Sequence, residues 1–133
     1  MLGAALGSAF AVVTLGVWVW SAPRHWRGES RLKGDDPPLW FPFSEPVWRG
    51  VVRSYVVWVP AIALFVGGSV VAALSPEDSA LYDVGMAAAS LGLFGGSAIQ
   101  FGILFFNRPK FLVPPGLRDE PGALAAWRSA RAG

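Results

Sequence analysis

Two stretches of this chain carry no charged side chain over a length that matches a lipid bilayer. They run from Ser54 to Leu74 and from Val84 to Phe106. At about 1.5 Å rise per residue, each covers roughly the 30 Å thickness of the hydrocarbon layer. Neither has the polar face that a helix in water needs. In lipid, an unpaired backbone amide or carbonyl costs several kcal/mol, roughly, so a segment that pairs its own groups becomes helical there. The alternative is a buried hairpin of a soluble domain. It fails on size, because a chain of 133 residues cannot cover two such rods on every side.

A third uncharged run, Leu2 to Trp20, precedes them. A cleaved secretory signal would need a basic start and small residues at the cut. This run has no basic residue before it and ends in Trp18-Val19-Trp20-Ser21-Ala22-Pro23, so a retained span is expected. The predicted architecture is therefore all-α: an integral membrane three-helix bundle in a single domain over residues 1–133. Its spans cover about 2–20, 54–74 and 81–106, with a cytoplasmic loop at 21–53 and a cytoplasmic tail at 107–133.

The corner Leu74-Ser75-Pro76-Glu77-Asp78 is short and acidic. Ser75 followed by proline and two acids reads as a capping box that starts the third helix near Pro76. The second and third spans then form a tight antiparallel hairpin. Small residues recur at helical spacing on the third span, at Gly85, Ala89, Gly92 and Gly96, and on the first at Gly3 and Gly7. Such faces let helix backbones approach closely in lipid. Gly67-Gly68, Ala61 and Ala72 offer a matching surface on the second span. Gln100 is expected to clasp a neighbouring helix through its amide. Pro60 removes the helical partner of the Val56 carbonyl and is expected to kink the second span.

All 11 Lys and Arg residues fall in the first loop, the start of the second span or the tail. The N-terminus and the corner have none. The positive-inside rule then puts the N-terminus and corner outside and the loop and tail in the cytoplasm, in a multi-pass protein of the plasma (inner) membrane. Arg24, Arg27, Arg31, Lys33, Arg49, Arg53, Arg108 and Lys110 are expected to meet anionic lipid headgroups. Trp18, Trp20, Trp40, Trp48 and Tyr55 are expected to anchor at the interface. Leu39-Trp40-Phe41-Pro42-Phe43 is too short to span and lies at the membrane surface. Phe111 to Gly116 is expected against that surface or on the first loop. The Ala-rich helix after Pro121 is too short to hold its shape alone.

Chemistry is thin. The single histidine, His25, stands in a basic loop and is expected to be solvated; alone it builds no metal site. Asp35-Asp36 before two prolines reads as loop. There is no cysteine and no phosphate-binding, nucleophile-elbow or zinc-protease motif. No cofactor, metal or nucleic acid is expected. The residues point to a non-enzymatic accessory or scaffold subunit that binds another membrane protein or its own copies. The alternative is a homo-oligomeric pore or small transporter, holin-like in broad type, for which Gln100, Ser97 and Pro60 are the motive. A bacterial source fits a composition rich in Ala, Gly, Arg and Trp.

Overall fold

The computed structural model describes residues 1–29 and 37–133. Every regular element among them is helical. Helix α1 spans Leu2–Trp26, α2 spans Glu45–Leu74 and α3 spans Ala80–Phe106; each is long and apolar enough to cross a membrane. Two 3-10 turns follow, Lys110–Leu112 and Pro115–Leu117, and then helix α4, Ala123–Ala132. The expectations placed on Arg31, Lys33, Asp35 and Asp36 fall outside the described residues.

Helix ends are set by local chemistry. α1 runs past the expected Trp20 to Trp26, with Pro23 inside it. It stops where Gly28 takes a positive φ of 79°. The amides of Gly28 and Glu29 bond back to the carbonyls of His25 and Arg24 at 3.1 and 2.9 Å, so the last carbonyls are capped. α3 starts later than the capping-box pattern suggests. Its cap is Ser79, whose hydroxyl accepts from the Tyr82 amide at 3.2 Å. Pro76 instead belongs to a turn closed by the Ser79 amide on the Pro76 carbonyl at 3.0 Å. Serine there caps as well as Ser75 could, and the turn needs the intervening residues. α3 also widens into one π-helical turn at Leu91–Gly95. Three glycines, at 92, 95 and 96, weaken the α preference there.

The chain gathers into two compact units. The first comprises Met1–Trp20 and Trp58–Ala98. Within it α2 and α3 pack closely. A Cβ placed on Gly68 would lie 2.5 Å from the Ala89 nitrogen, and one on Gly85 would lie 2.6 Å from the Ala72 nitrogen. One on Gly92 would lie 2.5 Å from the Phe65 nitrogen, and Gly96 rests on Ala61. Positions 68–72 meet 85–89 while 61–65 meet 92–96, which is the antiparallel order. On α1, Gly7 meets Val70 and Val66, with Val70 2.9 Å from its would-be Cβ. At Gly3 no neighbouring helix comes within 4 Å of a would-be Cβ among the described residues, so the chain itself supplies no helix contact there.

The second unit comprises Ser21–Val57 and Ile99–Gly133. Its core is Val52, Ile103, Val113 and Leu117, with Trp48, Val57 and Leu112 packed around it. The apolar tail segment packs on Val52 and Trp48, within the stretch 21–53 read from the sequence as the first loop, and on Ile103 of α3. Val113 is buried against residues of α2 and α3 and Pro114 is buried too, while Phe111 stays exposed. Burying Val113 and Leu117 removes apolar area from water, which favours this docking wherever water reaches the tail.

Candidate functional site

The second unit concentrates polar side chains, and several of them hold it together. Asn107 ends α3 in the left-handed region, φ 54°, a conformation that asparagine tolerates better than most residues. Its backbone amide bonds to Ile103 at 3.0 Å. Its side-chain amide donates to the carbonyls of Arg118 at 2.9 Å, Glu120 at 2.6 Å and Leu117 at 3.4 Å. One side chain thus pins the returning tail to the end of α3. Gly122 completes the contact by lying directly on the Phe105 carbonyl, where any Cβ would collide.

From the sequence, Arg53 is a lipid-facing cation; the structure corrects this. Its side chain is 1% exposed. One guanidinium nitrogen donates to Glu120 at 3.0 Å and another to the Leu104 carbonyl at 3.4 Å. Arg49, one turn earlier, pairs with Glu45 at 3.1 Å and reaches Glu120 at 3.6 Å. Two like charges four apart repel, and the Glu120 carboxylate between them offsets that repulsion. A buried guanidinium is tolerated only when it is paired and hydrogen-bonded. These residues, with Pro46, Pro121 and Ala126, line a cleft of about 220 Å³.

His25 is the second correction. It is 2% exposed. Its Nε2 lies 2.8 Å from the Val52 carbonyl and its ring stands edge-on to Tyr55 at 5.3 Å between centroids. Tyr55, an expected interfacial anchor, is half-buried and its hydroxyl sits 2.6 Å from the Ser21 hydroxyl. Ser21 and His25 are four apart on α1 and so face α2 together. A second cleft, of about 390 Å³, lies between the end of α1 and the second 3-10 turn.

The remaining sequence-derived positions divide plainly. Arg24, Arg27, Arg108 and Lys110 are exposed. Trp40 is 76% exposed and Trp20 65%, whereas Trp18 and Trp48 are half-buried. Trp40, Phe41, Phe43 and Trp48 pack edge-to-face, with centroids 5.0 to 6.2 Å apart. Gln100 is half-buried and its side chain makes no hydrogen bond among the described residues, so the expected clasp is not formed. Pro60 lies within α2, which continues through it. α4 is held by this chain itself: Trp127 donates to Ser44 at 3.3 Å and packs on Phe105.

Sequence reasoning missed Glu120 and Asn107. Glu120 is 67 residues from Arg53, and no local spacing links them. Asn107 did carry a signal, being the only asparagine and standing at the end of a span. Among the described residues no three His, Asp or Glu side chains converge as metal ligands would. Compared with known protein families, with curated proteins and with solved structures, the chain matches none.

Proposed function

We propose that this chain is a small bacterial inner-membrane protein that works by binding rather than by catalysis, as an accessory or scaffold subunit of a larger membrane assembly. The observation that carries this is the uneven cover of its three long helices. Only 6% of the most apolar stretch of α1 is buried inside the chain, against 22% for α2 and 28% for α3. Gly3 and Gly16 on α1 have open space where a Cβ would be. Small residues open to lipid are the kind of surface on which another helix packs. The groups that an enzyme would recruit have other work: His25 bonds to the Val52 carbonyl and Arg53 to Glu120.

The charge distribution supports one orientation. The N-terminus and the acidic corner at Glu77 and Asp78 face outward, and the Arg-rich tail faces the cytoplasm. Exposed Arg24, Arg108 and Lys110 then face anionic headgroups, at about 1 kcal/mol each.

Phe10 is 53% exposed on α1. With a photo-crosslinking amino acid in its place, a binding subunit gives one discrete adduct in cells, with another membrane protein or with a second copy. A probe at Leu81 of α3, 59% exposed, serves as the comparison. Lipid adducts alone from Phe10, with the purified chain a bare monomer in mild detergent, would exclude the subunit role.

A further inference from the structure

The cleft at the end of α1 carries features that its structural role does not use. It is lined by His25, Trp26, Arg27, Gly28 and the run from Pro114 to Leu117. Its volume of about 390 Å³ lies in the lower range of small-molecule sites. The walls are apolar: the Trp26 indole, two prolines and Leu117. Among the described residues the charge at it is of one sign. Arg27 lines the cleft, and the Arg118 guanidinium stands over the Trp26 ring, 5.8 Å from its centroid. Arg118 uses Nε on the Val113 carbonyl at 3.0 Å, and neither terminal nitrogen is hydrogen-bonded among the described residues. Neither arginine forms an ion pair, and no carboxylate lines the cleft, among the described residues. The other cleft contrasts, since its two arginines are balanced by Glu45 and Glu120. The C-terminal end of a helix disfavours anions, but the last carbonyls of α1 are already taken by the amides of Arg27, Gly28 and Glu29.

We propose that this cleft binds a phosphate ester with an apolar body, with Arg27 and Arg118 on the phosphate and Trp26, Pro114, Pro115 and Leu117 against the body. Guanidinium groups match phosphate oxygens in pairs. Basic pockets beside membrane helices on the cytoplasmic side are suited to anionic headgroups. The chemistry has two sources, an anionic glycerophospholipid of the bilayer or a soluble phosphate ester. The proposal rests on the membrane placement argued above, not on any protein partner.

Native mass spectrometry of the full chain in mild detergent tests it. The probes are phosphatidylglycerol, phosphatidylcholine and glycerol 3-phosphate. One phosphatidylglycerol should be retained over phosphatidylcholine by roughly tenfold or more, the preference expected from two basic residues. That preference should vanish in the double variant Arg27→Gln, Arg118→Gln and persist in Arg128→Ala, Arg131→Ala. Arg27→Glu, a change at an exposed position, should abolish it even if the double variant folds poorly. Lipid retention unaffected by millimolar glycerol 3-phosphate identifies the bilayer as the source; displacement by it identifies a soluble ester. Equal retention of both lipids, or a preference that survives Arg27→Glu, overturns the site. A chain that stays soluble and monomeric without detergent would instead overturn the membrane placement itself.

Discussion

Arg53 and Asn107 do at the residue scale what no local pattern announces. Each joins a long helix, or its end, to a segment more than ten residues away in sequence. Removing one partner of a buried pair leaves an uncompensated charge, which costs more than removing both. Glu120→Ala should therefore destabilise the second unit by about 3 kcal/mol. The double variant Arg53→Met, Glu120→Gln should lie closer to the unchanged protein than Glu120→Ala does. Urea titration in mild detergent reads both. Asn107→Ala removes three carbonyl partners and puts alanine at φ 54°, whereas Asn107→Gly relieves only the second problem. Protease cleavage of the tail should rise in both variants and rise further in Asn107→Ala. Equal cleavage of the two would show that the left-handed turn contributes nothing.

At the element scale, the α2–α3 pairing depends on the absence of side chains. Gly68, Gly85 and Gly92 each face backbone atoms of the opposite helix, so no neighbouring rotamer can make room. Gly85→Val or Gly92→Leu should force the helices apart and lower the thermal midpoint in detergent by several degrees or more. Gly3→Ala, where nothing lies within 4 Å, should leave it unchanged. This part of the structure was legible. Absence of charge over 54–74 and 84–106 gives the spans, because hydrocarbon admits few alternatives to a helix. Spacing of Gly85, Ala89, Gly92 and Gly96 gives the packed face, because both features are local to one helix. The polar second unit was not legible. Glu120 reaches Arg53 across 67 residues, and His25 is buried by a carbonyl of another helix. Seen alone, His25 reads as a solvated loop residue, and nothing near Glu120 in sequence points to Arg53. The misplaced start of α3 has a different origin. Ser75 and Ser79 are both capable caps, and the turn geometry between the helices decides between them.

At the scale of the whole molecule, each part of the chain is suited either to lipid or to water. Apolar side chains such as Leu2, Phe10, Val84, Leu91 and Phe94 are left open on the long helices. Exposed arginines and the folded tail belong to the second unit. In water that much uncovered apolar surface would drive association; in a bilayer it is at rest. The chain has no cysteine, so single cysteines can report on each side without background. Glu77→Cys, in the exposed corner, and Ser129→Cys, on the exposed face of α4, are the two positions. A membrane-impermeant maleimide applied to intact cells should label Cys at 77 and reach Cys at 129 only after the membrane is opened. Labelling of both positions in intact cells, or of 129 alone, would contradict three spans with the corner and the tail on opposite faces.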